Sequence, residues 1–283
     1  MELKHKINEL LRLIAVLLYE EEWVIKSNAA NLKNEIDEFL KERGAFKVGV
    51  ANPSVGFEKA IKGCHPFDVL KDGNSVIAFA IYIGSDYYRS VKIEGKTMGE
   101  DRIGHIFRDW LAYRLVEFLR VSGFEAITPS GFFDEGRKIA RLSFKLAAYE
   151  AGIGVYGKPG IIITPEYGPR VNIGVVVTNA ALEPDKKLGF NPCKACKVCV
   201  RVCPVKAIRE DFNPPISHGR EKCVSFIERL REETDDEKFL CGYCYDKCPV
   251  GRTRKRGYLI SRHRRLLNLR RGERERLIQK ASV

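Results

Sequence analysis

Cys193-x-x-Cys196-x-x-Cys199-x-x-x-Cys203-Pro204, then Cys223 alone, then Cys241-x-x-Cys244-x-x-x-Cys248-Pro249 is the stretch that decides how this chain is read. It holds eight of the nine cysteines. Two-residue gaps let one tight turn aim several thiolates at a single centre. The longer step to each Cys-Pro pair carries the chain away, and proline ends the turn. The two runs form a pseudo-repeat, and the chain shows no other internal repeat.

The first run has the spacing with which bacterial ferredoxins hold two [4Fe–4S] cubes, three thiolates on one cube and the fourth on the other. The ligand count closes on that pattern. Cys193, Cys196 and Cys199 take cluster 1, with Cys248 as the fourth ligand. Cys203 crosses to cluster 2, where Cys241 and Cys244 join it. A ferredoxin would carry one more cysteine three residues before Cys241, but Lys238 stands there. Cys223 is the remaining candidate, so residues 204–240 read as an insertion that brings its own ligand. Zinc also uses paired C-x-x-C elements, yet it needs neither the third cysteine of the first run nor both Cys-Pro steps. Disulfides suit small secreted chains, whereas this chain has 283 residues and no export signal. Cys64, the ninth cysteine, reads as a small buried hydrophobe, and His65 beside it as a polar loop residue.

With 45% hydrophobic residues, the chain has the composition of a globular protein with one large or two small domains. No apolar run is long enough to span a bilayer. The N-terminal glutamates, with no small-residue cleavage site after them, speak against a signal peptide. Thiolate clusters point to a reducing, cytoplasmic setting. The net charge of +12 is unevenly placed, since residues 251–283 carry 12 Lys and Arg against two Glu. Such a block can track phosphates or dock an acidic redox partner. A solvated, Arg-rich terminal helix is the alternative.

Outward from the cysteines, helical spacing covers residues 3–20 and about 30–43, the second helix closed by Gly44. Residues 46–51 and the apolar run 74–83 read as strands. A long helix over 101–122 presents Ile106, Trp110, Leu111, Tyr113, Leu115, Phe118 and Leu119 as its inner face. A short strand at 124–128 precedes a helix over 135–151 that Gly152 stops. Strands follow at 161–164 and 171–178. Gly152, Gly154, Gly157 and Gly160 let the backbone approach a ligand or cluster closely. This stretch follows a helix, so it is no dinucleotide fingerprint. The order of elements predicts an α+β chain: a helical segment (1–45), an α/β domain (46–190), a double-cluster domain (191–250) and a basic helical tail (251–283).

Three features together resemble the epoxyqueuosine reductase and reductive dehalogenase superfamily. They are Ala151-Gly152-Ile153-Gly154-x-x-Gly157-Lys158, the stretch Thr164-Pro165-Glu166-Tyr167-Gly168-Pro169-Arg170, and the two cysteine runs with Cys223 between them. His65-Pro66 through Ala80 looks like the superfamily's first core strand and its lead-in. The resemblance covers roughly residues 35–250. It implies a nitroreductase-like α/β domain that holds a corrinoid (cobalamin), followed by a ferredoxin-like domain with two [4Fe–4S] clusters. Electrons from an external donor would reach cobalt one at a time, and the corrinoid would reduce the substrate. Gly152, Gly154, Gly157, Lys158 and Arg170 become the implied cofactor-binding residues. tRNA becomes a possible partner of the basic tail.

The chain departs from the superfamily in two places. The Asp-Ser/Thr-Gly/Ala-Pro stretch that carries the catalytic acid of epoxyqueuosine reductases is missing, since the region reads Ser130-Gly131-Phe132-Phe133-Asp134-Glu135-Gly136. Asp134, Tyr156 and Tyr167 remain as candidate proton donors. Many members also continue into a helical-repeat domain, whereas this sequence ends 35 residues after Cys248. A ferredoxin-like electron carrier or reductive activator without a substrate of its own is the alternative reading.

Overall fold

The computed structural model describes residues 31–58, 60–83, 91–93, 96–98, 101–129, 133–134, 139–189, 191–213, 216–218, 220–234 and 241–251. The helical spacing at 3–20 and the basic tail after Gly251 lie outside the described residues.

Helix α1 (Leu32–Glu42) buries Leu32, Ile36, Phe39 and Leu40, one face at i, i+4, i+7 and i+8. Gly44 ends it in the left-handed region at φ 109°, and β1 (Ala45–Ala51) follows. The short α2 (Pro66–Val69) begins with a capping box. Its His65 side chain accepts the Phe67 N–H at 3.2 Å, and Asp68 accepts the His65 N–H at 2.9 Å. Then come β2 (Ser75–Tyr82), the antiparallel pair β3 (Val91–Ile93) and β4 (Lys96–Met98), and α3 (Asp101–Val121). Next are β5 (Ala126–Ile127), β6 (Phe133–Asp134), β7 (Ile139–Ala140), α4 (Phe144–Glu150), β8 (Val155–Tyr156), β9 (Ile162–Ile163) and β10 (Val171–Thr178). The cysteine segment contains α5 (Val198–Val202), β11 (Ile208–Asn213), β12 (Ile216–His218), α6 (Arg220–Thr234) and α7 (Tyr243–Asp246).

The main sheet has the order β1-β2-β10-β5, and every neighbouring pair is antiparallel. Helix and antiparallel sheet together make the chain α+β. Strand β2 is central and buried on both faces, which is why its sequence is an unbroken apolar run. Ile77, Phe79 and Ile81 point into one core with α1 and α3. Val76, Ala78 and Ala80 point into the other, where Ala147 and Ala148 of α4 pack. Each fully buried Leu, Ile or Phe contributes about 1.5–3 kcal/mol of transfer free energy. Gly174, opposite Phe79 in the ladder, leaves room for the Phe79 ring, which a Cβ there would overlap.

Two local expectations change. The helix expected over 135–151 starts only at Phe144, where the Ser143 hydroxyl accepts the Leu146 N–H at 3.3 Å. Upstream, β6 and β7 pair Phe133 with Ala140 and Asp134 with Ile139. A helix begins where a side chain can cap it, and Ser143 is that residue. In α3 the buried stripe is Leu111, Ala112, Leu115, Val116, Phe118 and Leu119. At 3.6 residues per turn, positions 106 and 113 fall on the opposite side, so Ile106 and Tyr113 are exposed.

Candidate metal centre

The cysteine segment is seated on the sheet layer through β8 and β9. Val155 and Ile163 pack with Cys193, and Ile161, Leu188, Cys248 and Val250 lie around them. The first run turns into α5, which carries Cys199 and ends at Cys203. The second run turns into α7, which carries Cys244. Helices α5 and α7 pack on each other, so the two runs meet although they are far apart in sequence. Cys223 arrives separately on α6.

All nine cysteines are free thiols. Eight of them fall into two electrostatic neighbourhoods. Cys199 is acted on by Cys193, Cys196 and Cys248, and Cys248 by Cys193 and Cys196. Cys223 is acted on by Cys241 and Cys203. Cys244 is acted on by Cys241, Cys223 and Cys203, and also by Cys199 on the helix packed against its own. Among the described residues, no three ligand side chains converge as one bound metal ion would require. A cube of iron and sulfide does not ask for that convergence, because its thiolates surround a larger body.

Burial is the first cause that pushes these thiols up: Cys199 to about 11, Cys244 to about 12, and Cys193, Cys223, Cys241 and Cys248 in the same direction. Thiolate is the ligating form, so metal loading must displace these protons. The Ala207 N–H already donates to the Cys203 sulfur at 3.2 Å. Cys64 lies apart, buried, with its thiol donating to the Ala140 carbonyl at 3.3 Å.

The five residues expected to meet a corrinoid face the chain itself. A Cβ on Gly152, whose φ is 68°, would overlap the Lys186 carbonyl. On Gly154 it would lie 2.6 Å from Ile162, and on Gly157 2.7 Å from Ile163. These glycines make room for neighbouring chain. Lys158 is buried, and its ammonium donates to the Cys196 carbonyl at 2.9 Å and the Lys194 carbonyl at 3.5 Å. Arg170 is buried too. Its guanidinium donates to the Tyr245 carbonyl at 3.5 Å, the Cys248 carbonyl at 3.3 Å and, by a short bond, the Val250 carbonyl. One cation thus holds each cysteine run. Gly152, Gly154 and Gly157 pack against neighbouring chain, and the Lys158 and Arg170 head groups are engaged by carbonyls of the two cysteine runs.

The candidate proton donors are scattered. Asp134 lies on β6, and its side chain is outside the described residues. Tyr167 packs against Phe46 edge-on and against Tyr82 at a tilt, each ring centroid 4.6 Å away. Tyr156 lies in the core under α4, its ring 5.4 Å from Tyr149. Burial raises its phenol to about 12, although a hydrogen bond with the Ser143 side chain works the other way. A phenol whose folded pKa is raised above 10 stabilises the fold below pH 10, and that contribution is lost as pH rises from 10 towards 12. Thermal unfolding followed from pH 9 to 12 should therefore fall less steeply in Tyr156→Phe than in the wild type. Equal slopes would mean that the buried phenol does not titrate with unfolding.

Sequence reasoning missed an interlock next to Arg170. Gly168 (φ 61°) lies against the Val250 carbonyl, and Gly251 (φ 73°) lies against the Tyr167 backbone. The glycine two residues after Cys-Pro was the available signal.

The fold and the site define an α+β protein with a cysteine-rich segment docked on an antiparallel sheet. No family profile matches the chain. Over 147 residues it is 35% identical to a tetrachloroethene reductive dehalogenase of Sulfurospirillum multivorans, covering 48% of this chain and 27% of that one. Over 265 residues it is 27% identical to an epoxyqueuosine reductase of Listeria monocytogenes, covering 80% and 66%. A solved epoxyqueuosine reductase in complex with a tRNA stem loop matches with TM-score 0.59 and 23% identity, over 80% of this chain and 67% of that one. A solved reductive dehalogenase, described with a mechanism for B12-dependent dehalogenation, matches with TM-score 0.62 and 18% identity, over 83% and 34%. Relatives and solved neighbours of both kinds support an epoxyqueuosine reductase/reductive dehalogenase-like superfamily for this chain. It spans just under two thirds of the reductase relative and about a quarter of the dehalogenase relative.

Proposed function

We propose that the chain is an iron–sulfur reductase that passes electrons from an external donor through two [4Fe–4S] clusters toward a substrate. The observation that supports this most directly is the pair of adjoining thiol neighbourhoods. Cys193, Cys196, Cys199 and Cys248 would hold cluster 1, and Cys203, Cys223, Cys241 and Cys244 cluster 2. In this reading residues 46–190 form a nitroreductase-like unit and 191–250 a ferredoxin-like unit, flanked by the helical segment 1–45 and the basic tail 251–283. The chain would work in a reducing, cytoplasmic setting. Kinship with a B12-dependent dehalogenase supports a corrinoid as electron acceptor, and kinship with a tRNA-binding reductase supports tRNA as a partner of the tail. Asp134 and Tyr167 remain the proton donors to test, since Tyr156 is held in the core.

A second reading has an observation in its favour. The residues expected to cradle the corrinoid pack against the chain's own atoms, which suits an electron carrier that serves a partner protein. Protein purified without oxygen should contain about eight iron and eight sulfide per chain; zinc, or far less iron, would overturn both readings. Cobalamin added to such protein should then give the electron spin resonance signal of base-off Co(II). Unchanged free cobalamin would leave the carrier.

A further inference from the structure

Of the nine large hydrophobic side chains exposed among the described residues, four lie on α3. Ile106 is 68% exposed and Val121 61%, and Phe107 and Tyr113 accompany them. At 3.6 residues per turn, Ile106, Trp110, Tyr113, Glu117 and Val121 form one stripe along the helix. Phe107 stands at its margin, its ring stacked on Trp110 at 5.9 Å. From Ile106 to Val121 the stripe is about 22 Å long. The carboxylate within it, Glu117, pairs with Arg114 of the same helix at 2.6 Å. Scattered exposed apolar residues need no explanation, but a face of them marks an interaction site.

The chain itself carries a segment that fits this face. Residues 3–20 place Ile7, Leu10, Leu11, Ile14, Leu17 and Leu18 at helical spacing. As a helix they would be about 27 Å long, close to the length of the stripe. So short a helix holds in water mainly by burying its apolar face against something else.

The start of the described chain lies on the right side of the fold. Phe39 of α1 meets Phe118 of α3 with ring centroids 4.8 Å apart, and Gly44, just after α1, lies against the Phe107 ring. Helix α1 therefore runs antiparallel to α3, and its start points toward the end of α3 that carries Val121. Residues 21–30 reach about 35 Å when extended, enough to bring the segment back over the stripe. A tether of that length gives an effective concentration of about millimolar, which favours the segment over a second copy. A lipid surface fits less well. Residues 2–22 carry five Glu against three Lys and Arg, the reverse of the basic polar face that holds a helix on anionic lipid.

We propose that residues 3–20 form a helix that docks on the stripe of α3 from Ile106 to Val121. The sheet, α3 and this segment then make three layers on that side of the fold. The docking does not depend on the two-cluster reading.

The test is hydrogen exchange read by mass spectrometry on full-length protein purified without oxygen. The amides of residues 3–20 should be protected, and equally so at every protein concentration. Ile106→Glu should speed their exchange about tenfold or more, and Ile14→Glu should do the same from the segment's side. Val55→Glu is the control. Val55 is 55% exposed in the loop whose Gly56 packs on Glu150 of α4, across the sheet from α3, so exchange of residues 3–20 should not change. If Ile106→Glu fails to fold, Val121→Glu at the other end of the stripe decides. Unprotected amides in the wild type, or protection that survives a folded stripe variant, would overturn the proposal. Protection lost on dilution would overturn it in favour of a second copy. Protection gained only with vesicles of mixed phosphatidylcholine and phosphatidylglycerol would overturn it in favour of a membrane.

Discussion

Cys223→Ala should halve the iron and sulfide of the protein, from about eight of each to about four, while one cluster signal survives. Cys223 is the proposed ligand that arrives alone. It sits on α6, outside both cysteine runs, and its neighbours are the thiols of Cys203 and Cys241. Removing it leaves the packing of α5 on α7 in place, so the other four thiols keep their setting. The check is iron and sulfide analysis with electron spin resonance after anaerobic reconstitution. Full loading of the variant would remove Cys223 from the ligand set. Loss of every cluster would mean that neither cube assembles without the other.

Gly168→Ala should undock the cysteine segment. Gly168 has a φ of 61°, a conformation that costs a residue with a Cβ about 1–2 kcal/mol. The new methyl group would also overlap the Val250 carbonyl, backbone against backbone. Overpacking of this kind costs about 1–3 kcal/mol, and neither partner is a side chain that can swing away. Against a total stability of about 5–15 kcal/mol, this is a large fraction concentrated at one contact. The overlap also displaces the carbonyl that accepts from Arg170. Limited proteolysis should cut the segment after residue 190 faster than in the wild type, while the sheet core stays protected. Equal cleavage rates would show that the turn can absorb the methyl group.

How much could be read beforehand depends on how local the cause is. Cys193, Cys196 and Cys199 must lie near one another because so little chain separates them. Strand β2 was readable because burial on both faces leaves a continuous apolar run. The meeting of the two cysteine runs depends on α5 packing against α7, which no spacing rule encodes. Lys158 and Arg170 entered only through the family resemblance, as cofactor-binding residues. Their partners are carbonyls at positions 196 and 248, set by tertiary packing. The same holds for Gly152, where the sequence announces an absent side chain but not that the carbonyl of Lys186 fills the space. The late start of α4 came from a cap, Ser143, that the helical pattern around it concealed.

The meeting of α5 and α7 also bears on how the protein matures. Under the proposed ligand sets, each run donates to both cubes: the first lends Cys203 outward and the second lends Cys248 inward. Neither cube can be completed while one run is still unplaced. Delivery of the first cube therefore pins both runs and assembles most of the cradle for the second. Maturation becomes cooperative, and oxygen damage at one cube loosens the anchorage of its twin.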